Sequence, residues 1–288
     1  MHFIGVTTAQ SAMMRIFPLW MRELGRPDVE LRGVDLPLNA EPDDYRRVVD
    51  EIKGGEGILG ALITTHKIRL LEAARDRFQR LDSYATTCNE ISCISKREGL
   101  LLGHAKDPIS CGKSLDGMLS TAPPEVVCLG AGGAAIALAA HLREREDRPE
   151  VIHIVDRNPM RMSAVEALGA RFHCHQEAER NDELVGEAQP GSLIVNATGM
   201  GKDLPGSPLT NAVLFPERAC VWELNYRGER KFLHQALAQQ TSRDLSVHDG
   251  WMCFLYGWTE VIAEVLRQPI DAALFARLRK LAESVQNA

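Results

Sequence analysis

The run Gly130-Ala131-Gly132-Gly133-Ala134-Ala135 has the composition of a phosphate cradle. It follows the apolar stretch Val126-Val127-Cys128-Leu129, which reads as a strand, and it opens an alanine-rich stretch that reads as a helix. Glycines at such a turn allow a tight bend and let the backbone approach a pyrophosphate. Helix N–H groups and the positive end of the helix dipole then receive its charge. A turn that merely needs positive φ has the same look, so a second feature has to decide. The next apolar strand, Val151 to Val155, ends in Asp156, 26 residues beyond Gly130. The usual interval is about 20 residues, and the charged loop Arg143 to Arg148 accounts for the excess. An acidic group there hydrogen-bonds a ribose 2′-OH and repels a 2′-phosphate. Gly130, Ala131, Gly132, Gly133, Ala134, Asp156 and Arg157 thus form the expected dinucleotide site. NAD is expected over NADP, although Arg157 could partly accommodate the extra phosphate.

Two other clusters invite chemistry and do not hold it. Gly112-Lys113-Ser114 matches the end of a P-loop, but the first glycine would fall at Asp107 and no apolar strand leads in. His173-Cys174-His175 offers imidazoles at i and i+2 with no further ligands nearby, so no metal is expected. The seven cysteines are scattered without a CxxC pair, the pattern of free thiols in a reducing compartment.

The elements that must position the cradle alternate between strand and helix, which predicts an α/β protein with mainly parallel sheets. Strands are expected at 2–6, 29–34 and 58–63, with helices at 11–24, 42–53 and 67–78. Short β segments follow at 90–95 and 100–102. A second series starts at Val126, with a helix from Gly133, strand 151–155, helix 160–168, and strands near 171–173, 192–195 and 219–224. The last amphipathic stretch, 254–282, reads as one helix. Two α/β domains are expected, joined between about Asp107 and Glu125, where Thr121-Ala122-Pro123-Pro124 punctuates the chain.

A net charge of −6 over 288 residues argues against a nucleic-acid partner, because that binding rests on basic patches. Met1 to Val6 is too short and lacks the basic flank of a signal peptide, and no stretch reaches the roughly 18 apolar residues of a membrane span. A cytoplasmic protein binding a small molecule is expected, either monomer or homodimer.

With both halves read, the chain resembles the shikimate/quinate dehydrogenase family over essentially its whole length. Gly5 through Ser11 looks like the family's opening loop, whose first hydroxyl helps bind the substrate carboxylate. Gly60-Ala61-Leu62-Ile63-Thr64-Thr65-His66-Lys67 looks like its strand-to-lysine segment, which puts Lys67 at the catalytic lysine. Asn89 matches an asparagine that contacts a ring hydroxyl, and Asp107 in Gly103-His104-Ala105-Lys106-Asp107-Pro108 matches the catalytic aspartate. Asn196-Ala197-Thr198-Gly199-Met200 resembles the loop near the nicotinamide, and Tyr226 and Gly250 stand where the family has a tyrosine and a glycine near its domain cleft. The resemblance implies a substrate-binding and catalytic domain at 1–108, a Rossmann domain at 109–249, and helices at 250–288 returning to the first domain. It implies substrate contacts from Ser11, Thr64, Thr65, Asn89, Tyr226 and Tyr256, and cofactor contacts from Asn196, Ala197, Thr198, Met200 and Gly250.

The implied chemistry is hydride transfer between NAD and a secondary alcohol or ketone. Lysine suits the accompanying proton transfer if desolvation lowers its pKa; a nearby carboxylate fixes its position and by itself pulls the pKa upward. A solvated lysine at a helix start would look the same, but a cation there is electrostatically unfavourable and so needs a reason. The departures fall on recognition. Met13 stands for the second hydroxyl of the opening loop and Met14 for the proline after it. Ile63 replaces the threonine four residues before the lysine, unless Thr64 or Thr65 substitutes through a small backbone shift; Ala105-Lys106-Asp107-Pro108 replaces Asn-Thr-Asp-Gly, and Tyr256 replaces a glutamine. Lost hydrogen bonds to a substrate discriminate by large factors. The expected substrate is therefore a cyclic hydroxy acid or polyol other than shikimate, with Lys106 offering an anion contact or else a solvated loop lysine. Trp251, Met252, Phe254 and Leu255 read as packing between domains, His66 as a surface or capping residue, and Ser207 to Leu209 as a loop closing over the cofactor. The rival readings are a catalytically silent dinucleotide-binding sensor, opposed by retention of Lys67 and Asp107, and a folate-linked dehydrogenase, opposed by the placing of Asn89 and Asp107.

Overall fold

The computed structural model describes residues 1–202 and 204–286. The first series runs β1 (His2–Gly5), α1 (Met13–Glu23), β2 (Arg32–Asp35), α2 (Pro42–Gly54), β3 (Gly60–Ile63), α3 (Lys67–Ala74), β4 (Arg80–Leu81), α4 (Ser83–Cys88), β5 (Cys93–Arg97) and β6 (Leu100–His104). The second runs α5 (Asp107–Met118), β7 (Glu125–Leu129), α6 (Gly133–Glu144), β8 (Val151–Asp156), α7 (Met162–Glu166), β9 (Arg171–Cys174), α8 (Ala178–Glu187), β10 (Leu193–Asn196), β11 (Cys220–Glu223), α9 (Lys231–Leu237), α10 (Gln240–Arg243) and β12 (Ser246–His248). Two helices close the chain, α11 (Trp251–Leu266) and α12 (Ala272–Gln286). Backbone proximity divides it into two units, Met1–Lys106 with Gly257–Ala288, and Asp107–Tyr256.

In the first unit the sheet order is β2-β1-β3-β5-β6-β4. Strands β2, β1, β3, β6 and β4 run in one direction and β5 alone runs antiparallel, to both β3 and β6, so this sheet is mixed but mainly parallel. Its core joins Ile4, Ala61, Ile63, Ile94 and Leu101 of the strands to Tyr45, Val48, Val49 and Ile52 of α2 and Leu70, Leu71 and Ala74 of α3. Helix α1 buries Met13, Ile16, Phe17, Trp20 and Met21, the i, i+3, i+4, i+7 stripe of an amphipathic helix. It packs on α12, where the Trp20 indole Nε1–H donates to the Leu278 carbonyl at 2.8 Å.

The second unit has the order β12-β11-β10-β7-β8-β9, every pair parallel. This is a doubly wound sheet whose chain order reverses between β7 and β10, where the strand ends leave a crevice for a ligand. The central strands are apolar on both faces, as burial under helices on both sides demands.

Several expectations are corrected. The stretch 254–282 is two helices, because Pro269 cannot donate to a helix and disfavours α geometry at the residue before it, while Arg267 is left-handed at φ 55°. The helix expected at 67–78 stops as α at Ala74 and ends in a 3-10 turn, and the one at 160–168 begins with the 3-10 turn Pro159–Arg161. Gly112-Lys113-Ser114 lies inside α5, where a Cβ on Gly112 would fall 2.4 Å from the His141 ring, so this glycine serves packing between α5 and α6. Helices α4, α5, α8, α9 and α10 and the short strands β4 and β12 are not among the elements expected from the sequence. Replacing Trp20 by Phe removes the bond to Leu278 and part of a fully buried ring; a loss of about 1–3 kcal/mol in urea unfolding is expected, and an unchanged midpoint would refute this role.

Candidate active site

The glycine turn is built as the sequence implies. Gly130 has φ 104°, and a Cβ there would meet the Ala197 carbonyl oxygen at 2.7 Å and the Thr198 nitrogen at 2.9 Å. Only glycine permits this approach between the end of β7 and the loop after β10. Gly132 caps α6, and a Cβ on it would meet nothing within 4 Å, so this side of the turn is open. Asp156 clasps the turn: one carboxylate oxygen accepts the Ala131 N–H at 2.7 Å and the other the Asn158 N–H at 2.9 Å. A cavity of about 250 Å³ opens here, lined by Gly130, Gly132, Asp156, Arg157, Ala197, Thr198 and Met200 among others. Five of those seven residues were expected from the sequence to hold cofactor through the turn or the β10 loop, and Asp156 and Arg157 to read its ribose. Bare backbone, a helix N-terminus and an acidic strand end in one cavity fit a dinucleotide.

The far wall adds His175 and Asn181, with the His175 Nε2 2.7 Å from the Asn181 Oδ1 and the Asn181 amide donating to the Pro208 carbonyl at 2.8 Å. Pro208 also lines the cavity, in the loop expected to close over a cofactor. His173 is 2.7 Å from the His153 Nδ1, and His153 in turn lies 3.0 Å from Glu125. The two imidazoles of the His-Cys-His run thus have separate protein partners, and no group of three or more metal-ligating side chains occurs among the described residues.

Beneath the β10 loop sits a network the sequence reading missed. Glu223 closes β11, is fully buried, and stands opposite Asn196 in the β10–β11 register. Its carboxylate accepts the Asn196 Nδ2–H at 2.9 Å, the Asn225 N–H at 2.9 Å and the Asn225 Nδ2–H at 2.7 Å. Asn196 Oδ1 in turn accepts from Thr198 N at 3.1 Å and Thr198 Oγ1 at 2.7 Å, and Thr198 Oγ1 accepts from Met200 N at 3.1 Å. Burial pushes the Glu223 carboxyl up to about 7, against the opposing pull of the two asparagines and Arg230. The signal available was a glutamate ending an otherwise apolar buried strand, Cys220-Val221-Trp222-Glu223. Gly250 follows from the same packing, because a Cβ there would lie 1.9 Å from the Leu224 carbonyl oxygen.

In the first unit, Lys67 is the first residue of α3 and follows His66, which occupies the cap position. Of its two expected places the cap is the one it takes, away from the surface: it is 2% exposed, with Nδ1 2.9 Å from the Tyr45 hydroxyl and Nε2 3.0 Å from the Leu36 carbonyl. The carbonyl can only accept, so Nε2 carries the proton and Tyr45 donates to Nδ1. Burial also lowers the His66 pKa, which keeps the ring neutral. Thr64 donates its hydroxyl to the Ile4 carbonyl at 3.2 Å, Thr65 is exposed, and Ile63 is buried in the core. Ser11 ends the turn after β1, half-buried, and its Oγ accepts the Met13 N–H at 3.3 Å. Asn89 caps α4 in the left-handed conformation, φ 49°, and is exposed. Met13 is fully buried, so its bulk enters the core.

Lys106 departs from its expected role: its ammonium pairs with Glu264 at 2.9 Å, in a cluster with Arg97 and His104 that ties α11 to β5 and β6. Burial works to raise the Glu264 pKa, but Lys106, His104 and Arg97 outweigh it and hold the carboxyl low. In the second unit Asp107 opens α5, Tyr226 stacks on Phe254 with centroids 4.3 Å apart, and the Lys113 ammonium lies 5.9 Å from the Tyr256 ring centroid. Burial raises the Cys128 and Cys220 thiols to about 12, which leaves them unreactive.

The parallel sheet, the glycine turn at its point of reversal and the acidic end of β8 define a Rossmann-type domain, which the chain follows with a return to a second α/β unit. No model of a known protein family matches the chain. It is similar to the shikimate dehydrogenase (NADP(+)) of Symbiobacterium thermophilum, 29% identical over 241 residues that cover 78% of this chain and 77% of that one. It is likewise similar to that of Pyrococcus abyssi, 25% identical over 246 residues covering 81% and 84%. Solved structures repeat the fold end to end. Quinate dehydrogenase from Corynebacterium glutamicum in complex with NAD has a TM-score of 0.77 at 20% identity, with 98% of each chain covered. Shikimate 5-dehydrogenase from Thermus thermophilus in complex with NADP(H) and shikimate has 0.76 at 24%, covering 99% and 98%. The likeness to these shikimate and quinate dehydrogenases runs over most of the chain, and their two-unit α/β fold is shared from end to end. No described helix is long and apolar enough to cross a membrane.

A Cβ at Gly130 imposes roughly 1–3 kcal/mol of backbone strain besides its clash with Ala197. Gly130→Ala is expected to weaken dinucleotide binding on the order of tenfold or more in a fluorescence titration, with the far-ultraviolet circular dichroism kept. Retained affinity would show that the turn does not carry the cofactor.

Proposed function

We propose that the chain interconverts a secondary alcohol and a ketone on a small cyclic hydroxy acid or polyol, with NAD as its preferred cofactor and a specificity moved away from shikimate. The observation that carries the reading is the cavity formed by the Gly130 turn, Asp156 and the Thr198–Met200 loop. Gly130, Gly132 and the start of α6 would hold the pyrophosphate. Asp156 would read the ribose, and its oxygens already face the turn. The bound dinucleotide supplies the hydride acceptor or donor. Lys67 would take up the hydroxyl proton in oxidation and return it in reduction, and Asp107 is the carboxylate that the family resemblance assigns to the same chemistry. Ser11, Thr64, Thr65 and Asn89 would orient the ring, with Tyr226 and Tyr256 as further substrate contacts.

Altered specificity is supported by where the departures lie. Thr64 spends its hydroxyl on the Ile4 carbonyl, Ile63 and Met13 are buried, and Lys106 is held by Glu264. A site that has lost polar contacts of this kind rejects the original ligand strongly. The preference for NAD rests on Asp156, which disfavours a 2′-phosphate nearby.

Lys67→Ala is expected to lower turnover by about 10²–10⁴-fold while dinucleotide affinity stays within error; unchanged turnover would remove Lys67 from catalysis. A spectrophotometric screen of cyclic hydroxy acids and polyols, each with NAD and NADP, should find a compound turned over faster than shikimate and faster with NAD. Shikimate ranking first, or NADP preferred, would overturn the corresponding half of the proposal.

A further inference from the structure

Resting on the reading of this cavity as the dinucleotide site, we propose that Glu223 is the positioning residue of the cofactor loop. Through Asn196 it fixes where Thr198 and Met200 stand, and it does so only as a carboxylate. Glu223 does not line this cavity, but its hydrogen bonds run through Asn196 and Asn225 to Thr198 and Met200, which do. Asn196 and Glu223 are register partners on adjacent strands, so their side chains share a face and meet directly. From Asn196 the chain of bonds runs to Thr198 N and Oγ1, and from Thr198 Oγ1 to Met200 N. The Met200 carbonyl is held from below by the Asn196 amide at 3.3 Å and the Asn225 amide at 3.0 Å.

All three groups facing the carboxylate are donors, one of them a backbone N–H that cannot turn. A proton on Glu223 adds a fourth donor and needs an acceptor. Oε1 already accepts from both Asn225 groups, so the proton goes to Oε2, and the group facing Oε2 is the Asn196 amide, which must turn over to present its oxygen. Its NH2 then faces Thr198 N–H and Oγ1–H, so Thr198 loses its acceptor and Met200 loses one of two donors. The loop therefore has a held arrangement with the carboxylate and a released one with the acid.

Burial places the titration of this group at about 7, inside the physiological range. The sign follows from the raised pKa. Taken alone, the group stabilises the fold most at low pH and loses that contribution as pH rises from the ordinary glutamate value through about 7. Cofactor binding runs the other way, since it selects the held, ionised form and must expel the proton. The charged neighbour is Arg230, itself paired with Asp249 at 3.0 Å. His248 lies beside Trp222 in the β11–β12 register, on the opposite face of the sheet from Glu223. His175 lines the cavity itself and is the other group whose ionisation a dinucleotide could feel.

The test measures NADH affinity by nicotinamide fluorescence from pH 6 to 8, and proton release on binding by calorimetry in buffers of different ionisation enthalpy. NADH is chosen because it lacks the 2′-phosphate, which titrates in the same range. The wild-type chain should bind about fivefold or more tightly at pH 8 than at pH 6 and release up to about half a proton at pH 7. Glu223→Gln should bind weakly at every pH, with a flat profile and no release. His175→Gln and His248→Gln should keep the slope. A flat wild-type profile, or a slope that persists in Glu223→Gln or vanishes in either histidine variant, overturns the proposal while leaving the dinucleotide site standing. Should Glu223→Gln fail to fold, Thr198→Val breaks the relay one step later, and a full slope there also overturns it. Failure of both NADH and NADPH to bind at any pH overturns the reading of the cavity, and this proposal with it.

Discussion

Three strands converge on one residue without a side chain. The Gly130 N–H donates to Val155 of β8 at 2.7 Å, and the Leu129 carbonyl just before it accepts from Ala197, past the end of β10, at 2.7 Å. Any Cβ at 130 would push into the Ala197 carbonyl. This contact holds the two arms of the parallel sheet together at the point where its order reverses, and so sets both the floor and the wall of the cavity. Asp156 can clasp Ala131 only because β8 ends level with the turn. The Thr198–Met200 loop can face the same space only because Gly130 lets it come close. Glu223 then acts from behind, on a loop already brought to its place by the missing side chain.

The features legible in the sequence were those whose cause is local. The glycine turn announces itself because strand, glycines and alanine-rich helix are consecutive. Strand β8 and its terminal aspartate were readable for the same reason. Illegible were features made by register between strands. Glu223 and Asn196 lie 27 positions apart in the chain, and only the parallel pairing of β10 with β11 joins them. The pairing of Lys106 with Glu264, 158 positions away, is of the same kind. Helix α8 was missed because its first turns are polar, Ala178-Glu179-Arg180-Asn181-Asp182, and only Val185 is buried.

In the first unit the loops at the ends of β1, β2 and β3 are tied by buried polar bonds more than by packing. His66 reaches Leu36 after β2 and Tyr45 on α2, while Thr64 reaches Ile4 in β1. Thr8 adds a further tie through Asp35, its N–H and hydroxyl both donating to one carboxylate oxygen. Hydrogens donated in this way are unavailable to a ligand, so the residues that make these loops rigid have fewer donors left to offer.

The division of the chain has a consequence for how it is made. Residues 107–256 form one unbroken segment, whereas the other unit is assembled from residues 1–106 and 257–286, the second piece of which is synthesised after the whole of the Rossmann unit. The Rossmann unit has its complete sequence while the first unit still lacks its closing helices. Until then Trp20 has no carbonyl to meet, since Leu278 lies 258 positions downstream. During that interval the apolar face of α1 stays uncovered, a stretch of biosynthesis in which a chaperone has more to bind than at any later time.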